Sequence, residues 1–328
     1  MRRPMSRALV AAVLLGSVAA CAAPLPEPLP DPAPAAPPPA VSVEQLDRIL
    51  SDVAATLEEA DAAGSAELLD PRIDGAAHRI RSVEYLLAAA GDPDAVTPIP
   101  AEAETLVVPT TDTWPRTVMV VTEPPADLQA PLLLVLVQSE PRSQYELQAW
   151  ARLFPGVVTP PTTQPEIGSS PVRPDAEGLV ASPELVVAQY IDLLTHGAES
   201  EHAEAFTEDP LRAGIATTRE AFAASASVNG GTLTETYQPA GPGPYAIATA
   251  GGGAIVVGVI ETLTTITLAD SVLTLGDQTA ALLGKDTVSN SVAFTWLSVV
   301  VFAVPPAGSS DPIEVLGAEH SRISATGE

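Results

Sequence analysis

Three closely spaced side chains in the first half of the chain, Asp112, Trp114 and Arg116, could form a binding or catalytic group. An aspartate held near an indole and a guanidinium gives either an acid with a shifted pKa or a clamp for a small ligand. The favoured alternative is structural. Asp112 then bonds the backbone of a turn, Trp114 covers the edge of the core, and Arg116 neutralises the acid.

The sequence contains few other patterns that are typical of catalytic or metal-binding sites. His196 and His202 have glutamates close by and could hold a surface cation, but no HExxH framework accompanies them, so we expect solvated helix ends. The chain contains no G-x-S-x-G motif, and the glycine run 251–253 lacks the lysine of a phosphate-binding loop, so it is interpreted as a hairpin turn. We therefore predict no catalytic residue, no metal site and no cofactor.

Two short segments repeat an Asp-Pro step followed by an arginine. Asp70 precedes Arg72 in the first half, and Asp209 precedes Arg212 in the second. Aspartate before proline favours a turn, and a nearby arginine can neutralise the carboxylate. We expect structural ion pairs at both places.

The beginning of the chain has the pattern of an export signal. Arginines precede a short apolar run, and small residues lead into Cys21, the only cysteine in the sequence. This segment resembles the lipobox of bacterial lipoproteins. The resemblance implies that residues 1–20 are removed, that Cys21 carries lipid, and that the protein is anchored on the extracytoplasmic face of a cell membrane. An ordinary secretory signal or an uncleaved apolar terminus remains the alternative.

The charge balance restricts the partners. The chain has 15 basic and 41 acidic residues and a net charge of −26, without a basic run. Nucleic acid is excluded as a partner because phosphate binding needs clustered Lys and Arg, and anionic lipid headgroups would repel the surface. Attachment to the membrane therefore depends on the lipid at Cys21.

The pattern of apolar residues predicts an α+β protein with two tandem domains. Each half has helices first and then a curved antiparallel sheet of about four strands. In the first half, Ser42 and Gln45 form a capping-box pattern and Gly64 is placed to end the helix. In the second half, Ser182 and Pro183 predict a helix start. The predicted boundaries are a signal peptide at 1–20, a Pro-rich spacer at 21–40, domain 1 at 41–154, a Pro-rich linker at 155–181 and domain 2 at 182–328.

This order of elements resembles cystatin-like and nuclear-transport-factor-like α+β rolls. As a whole, the lipobox, the Pro-rich spacer and the phrase from Thr111 to Arg116 resemble uncharacterised actinobacterial lipoproteins, a resemblance that implies no function. We expect a non-catalytic binding or structural module of the cell envelope, with an envelope protein or a small apolar ligand as partner. The alternative is a small-molecule carrier or enzyme with an apolar pocket between helix and curved sheet.

Overall fold

The computed structural model describes residues 37–125, 129–228, 230–269 and 271–328. The predicted signal peptide, Cys21 and most of the predicted spacer lie outside these residues. Among the helices that are described, none combines the length and the apolar character needed to cross a membrane.

The first helix, α1 (Val43–Ala63), follows directly from its sequence. The Ser42 hydroxyl accepts a hydrogen bond from the Gln45 amide at 3.2 Å, and the Gln45 side chain accepts one from the Ser42 amide at 2.8 Å. Gly64 ends the helix with φ of 60°, in the left-handed region. The predicted start and end are therefore confirmed, and one face of α1 is buried.

Four further helices and eleven strands complete the described part of the chain. The helices are α2 (Gly75–Ala89), α3 (Pro183–His196), α4 (Pro210–Val228) and α5 (Asp277–Leu283). The strands of the first half are β1 (Ala103–Val107), β2 (Arg116–Thr122), β3 (Leu132–Gln138) and β4 (Glu146–Leu153). Those of the second half are β5 (Thr232–Pro239), β6 (Tyr245–Ala248), β7 (Ala254–Thr267), β8 (Leu273–Thr274), β9 (Thr287–Val288), β10 (Ser291–Val304) and β11 (Glu314–Gly327).

Nine of these strands form a single antiparallel sheet. Its order is β1-β2-β3-β4-β11-β10-β7-β5, with β6 paired to β7, while β8 and β9 form a separate pair. The two halves of the chain meet where β11 pairs with β4, through Gly317 opposite Leu153 and Ala318 opposite Arg152. The α+β class is confirmed, whereas two tandem domains are not, because both halves contribute to one sheet.

The largest hydrophobic core also crosses from one half to the other. It joins side chains of α1, α2 and β1–β4 to residues of the second half, among them Leu297, Val299 and Leu316. A second core lies under α3, where Tyr190 packs edge-on against Phe302 with ring centroids 5.1 Å apart. Residues 37–328 accordingly belong to one compact unit.

The predicted linker 155–181 has no helix or regular strand, and it packs on both halves. Ser169 bridges Pro109 of the first half, and Pro171 bridges Ile247 of the second. Each of its prolines lacks an amide donor, which interrupts a regular ladder, while other amides such as those of Ser169 and Val172 bond to the two halves.

Strand β5, the two-residue strand β8 and helix α5 of the second half were not predicted. Strand β5 alternates threonines with Leu233, Glu235 and Tyr237, and its burial is shallow because it lies at the edge of the sheet. Helix α5 has only seven residues. The prediction for the glycine run 251–253 is confirmed, because it turns between β6 and β7. The apolar run 292–304 is too short to span a membrane and predicts a buried strand, and it forms most of β10 inside the sheet.

Candidate functional site

Trp114 and Arg116 lie together at the start of β2. The Arg116 guanidinium carbon is 4.0 Å from the centroid of the indole ring, a cation–π contact. The indole nitrogen donates a hydrogen bond to the Gln138 side chain at 3.0 Å, and Gln138 donates in turn to the Ser143 carbonyl. The cation–π contact with Arg116 and the hydrogen bond to Gln138 therefore fix the orientation of the indole ring.

Asp112 is not part of the Trp114–Arg116 pair. Its side chain is exposed, and among the described residues no ion pair joins it to Arg116. The turn is instead braced by Thr111, whose hydroxyl accepts from the Thr113 amide at 3.1 Å. The sequence brings Trp114 and Arg116 together, but it leaves Asp112 apart, because the side chain at the turn tip points into solvent.

Trp114 lines a cleft of about 660 Å³ between the first half, the linker and the loop before β6. Such a volume is within the usual range for a small-molecule site. Six prolines line it: Pro109, Pro115, Pro171, Pro174, Pro242 and Pro244. With Trp114, Tyr245, Asp74, Glu146 and Gln148 they form what we call the proline cleft. Proline rings are rigid and carry no amide donor, so these walls are apolar and fixed.

Two carboxylates and one amide form a row inside the proline cleft. The Gln148 side-chain nitrogen donates to Asp74 Oδ2 and to Glu146 Oε2, each at 3.2 Å. Burial raises the pKa of Glu146, and the nearby charge of Asp74 raises it further, with partial relief from the Gln148 hydrogen bond. Arg173 also lines the cleft, but its exposed guanidinium is paired with Asp175. The carboxylate row therefore contains negative charge that the Gln148 amide only partly satisfies.

Local backbone geometry positions this row. Gly75 follows Asp74 with φ of 61°, and a Cβ there would lie 2.5 Å from the Gln148 side-chain oxygen. Only glycine combines that φ with so close an approach at low cost. Gly75 thus starts α2 and leaves room for Gln148 beside Asp74.

Tyr245 forms part of the wall of the proline cleft. Its side chain is buried, and burial together with the Asp74 charge raises its pKa to about 12. The hydroxyl therefore remains a neutral donor at physiological pH. An aromatic wall beside a carboxylate row suits a ligand with an apolar body and a positive group.

Other sequence candidates serve structural roles. The buried Asp209 accepts from Tyr190 at 3.0 Å and from Arg212 Nε at 2.8 Å, as expected. Arg72 pairs with Asp52 of α1, not with Asp70, because α1 lies directly beside it. His196 contacts Asp192 at 2.8 Å, and within the described ranges no group of three metal-type ligands comes together.

Two further cavities belong to the second half. A cleft of about 690 Å³ lies between α3 and α4, and its buried charge, Asp209, is already paired with Arg212. The space between α4 and the sheet is only about 10 Å³, because Tyr237, Trp296 and His320 fill it. This is too small for any ligand.

Sequence reasoning did not find Asp74, Glu146, Gln148 or Tyr245. Glu146 and Gln148 are two residues apart on β4, so their side chains lie on the same face of the strand. This spacing is a signal in the sequence that could have identified these two residues. Asp74 and Tyr245 come from distant parts of the chain, and only the folded sheet brings them together.

Fold and cleft define an α+β protein with one continuous antiparallel sheet and a ligand-sized cleft where its two halves meet. Residues 37–327 match the family model described as "Domain of unknown function (DUF8094)", which covers most of the sequence, and the chain belongs to that family. Comparison with curated proteins and with solved structures gives no significant match.

Proposed function

We propose that this chain is a lipid-anchored, extracytoplasmic binding module of the cell envelope, and that its ligand occupies the proline cleft. The observation that carries the proposal is a rigid apolar cleft of about 660 Å³ with Trp114 fixed in its wall and a carboxylate row inside. Preformed apolar walls with a few placed polar groups are typical of ligand sites.

The negative charge of the carboxylate row indicates which class of ligand would bind. Asp74 and Glu146 share one amide donor, and their repulsion contributes to the raised pKa of Glu146. A bound cation would relieve that repulsion, whereas an anion would add to it. The proposed ligand is therefore a small molecule with an apolar body and an ammonium or guanidinium group.

The membrane anchor is proposed on the pattern around Cys21. A chain with a net charge of −26 gains nothing from anionic headgroups, so attachment through acyl chains suits its surface. The nine prolines between residues 22 and 40 favour an extended spacer. Together these features support a binding module that is held near a membrane by an extended spacer.

A tandem duplication is proposed for the two halves. Each half has two long helices followed by a meander, and the final strands, β4 and β11, pair with each other. The first meander has four strands, and the second has β7, β10 and β11 with β5 and β6 paired along the same edge of β7. Each half also has a parallel bridge from the segment after its first helix to its final strand, or to the residue just before it: Ile73 with Leu147, and Phe206 with Ile313. We propose two roll-like domains fused edge to edge.

The alternative, a carrier or enzyme with an apolar pocket between helix and curved sheet, has less support. In the second half that space is filled by side chains, with about 10 Å³ remaining. The proline cleft lies elsewhere, where the two halves and the linker meet. An enzymatic role would have to use the Asp74–Glu146 pair.

The test of the binding proposal is mass spectrometry of the full chain extracted from native membranes. We expect a cationic small molecule to co-purify with the wild type and to be lost in Glu146→Gln. Glu140→Gln is the matched control, since Glu140 is an exposed glutamate outside the proline cleft. The absence of a small molecule, or its equal retention in both variants, would contradict the proposal.

The same preparation tests the anchor. Cys21→Ser removes the only thiol in the chain, so the protein should appear in the medium or remain as an uncleaved precursor. Membrane retention of a processed Cys21→Ser protein would overturn lipid attachment without bearing on the proline cleft.

A further inference from the structure

A second cleft lies beside α1 and has Arg116 in its lining. It has a volume of about 510 Å³, and its charged lining residues are Arg48, Arg72, Arg116 and Asp52. We call it the arginine cleft. Three positive residues against one negative residue is the reverse of the balance of the whole chain, which has 15 basic and 41 acidic residues.

We propose that the arginine cleft is a binding site for a phosphate group, from either a soluble phosphate compound or a phospholipid headgroup. The site shares no residue with the proline cleft, so this inference stands independently of the proposed function.

Arg116 supplies the first donor. Its Nη1 makes only a long hydrogen bond, 3.4 Å, to the Ala40 carbonyl, and its Nε is buried without a hydrogen-bond partner among the described residues. The stacking on Trp114 fixes the plane of the guanidinium. A planar, oriented guanidinium with unused N–H groups matches the geometry of a phosphate oxygen pair.

Tyr145 supplies the second donor. Its buried hydroxyl, unpaired among the described residues, is the observation that points most directly to a ligand. The residue is only 4% exposed and lines the arginine cleft, yet its hydroxyl has no hydrogen-bond partner in the described part of the chain. A buried hydroxyl without a partner is costly. Burial raises the pKa of Tyr145, with partial offset from Arg116, so the hydroxyl stays protonated and can donate.

Arg72 and Arg48 complete the positive surface. Arg72 is oriented by its ion pair with Asp52 and by a hydrogen bond from Nη1 to the Tyr145 carbonyl at 3.4 Å. Arg48 is exposed on the α1 face that borders the cleft. The net positive charge favours a phosphate, whose several oxygens can accept from Arg116 and Tyr145 together.

The test is isothermal titration calorimetry on the full chain in neutral detergent at low ionic strength. One arm uses inorganic phosphate, and the other uses dihexanoyl-phosphatidylglycerol below its micellar concentration. Tyr145→Phe keeps the ring and removes the donor, so affinity should fall about three- to tenfold. Arg116→Gln removes a charged donor and should weaken binding roughly ten- to a hundredfold.

Arg142→Gln is the matched control, because Arg142 is exposed, lies close in sequence to Tyr145 and does not line the arginine cleft. Binding of both probes, weakened by the two cleft variants alone, supports recognition of the phosphate group itself. Binding of the lipid alone, with the same sensitivity, supports a headgroup as the source. Binding of neither probe, or equal weakening by Arg142→Gln, overturns the proposal.

Discussion

Glu84 is a buried acid in α2 with an unusual proton affinity. It accepts a hydrogen bond from the Thr97 hydroxyl at 2.6 Å, and Arg81 Nη1 lies 3.0 Å from its other oxygen. Burial outweighs the attraction of Arg81 and raises the pKa of Glu84 from 4.5 to about 7. The folded protein therefore binds a proton at Glu84 in a pH range where the unfolded chain has released it.

This difference predicts how stability depends on pH. Since the folded state holds the proton more tightly, the contribution of Glu84 is fully present below pH 4.5 and is lost as pH rises through about 7. The free energy of unfolding should decrease across that window by at most about 3 kcal/mol. Glu84→Gln should remove this part of the slope, as measured by urea unfolding at several pH values.

The exposed Glu59 of α1 provides the control variant, Glu59→Gln, which should leave the pH slope of the wild type unchanged. A constant difference in stability between wild type and Glu84→Gln across the window would show that Glu84 does not bind the proton.

Some contacts between residues could be predicted from sequence patterns, and others could not. The stacking of Trp114 on Arg116 joins residues two apart in sequence at the start of β2, and their types alone indicated a shared role. The carboxylate row could not be predicted, because Asp74 and Glu146 are brought together only by the bridge between Ile73 and Leu147. Contacts across such separations depend on register, which local patterns do not contain.

At the scale of elements, α1 depends on its cap. The Ser42 hydroxyl satisfies one backbone amide that the helix itself cannot pair, and Gln45 returns a second bond. We expect Ser42→Ala to reduce the free energy of unfolding by about 1 kcal/mol. Chemical denaturation measures the loss.

Ser51→Ala is the matched control, because Ser51 is an exposed residue within the same helix. Alanine favours a helix interior, so this variant should be as stable as the wild type or slightly more stable. Equal destabilisation by both substitutions would argue against a specific role of the cap.

Elements with strong local signals were predictable, and elements stabilised by their neighbours were not. The β-rich runs Leu132–Gln138 and Tyr245–Ala248 predict strands with the bounds that β3 and β6 have in the structure, and six consecutive residues of β3 are buried. Strand β5 was missed because its threonines and Glu235 have little apolar character, and pairing with β7 stabilises it. Propensity is a weak guide for such an edge strand.

At the scale of the whole molecule, the junction of β4 and β11 is closely packed. A Cβ added at Gly317 would lie 2.4 Å from the Arg152 carbonyl oxygen and 2.7 Å from Leu153 Cα. Both are backbone atoms that cannot move without opening the sheet. We expect Gly317→Ala to lower the free energy of unfolding by roughly 1–3 kcal/mol, measured by thermal or urea unfolding.

Gly214→Ala is the control, since Gly214 lies in α4 with open space around it. Alanine at an exposed helical position should stabilise the protein by up to about 1 kcal/mol. If Gly317→Ala left stability unchanged, the junction would have to be looser than its interatomic distances indicate.

The junction has a consequence for the order in which the protein can fold. Leu153 pairs with Gly317, and the core around α1 and α2 includes side chains of β10 and β11. A chain that emerges from its amino terminus first cannot complete the first core until its last strand is available. Closing so long a loop is entropically costly and slow, so folding waits for nearly the whole chain. Until then, the early strands expose apolar faces that are prone to aggregation.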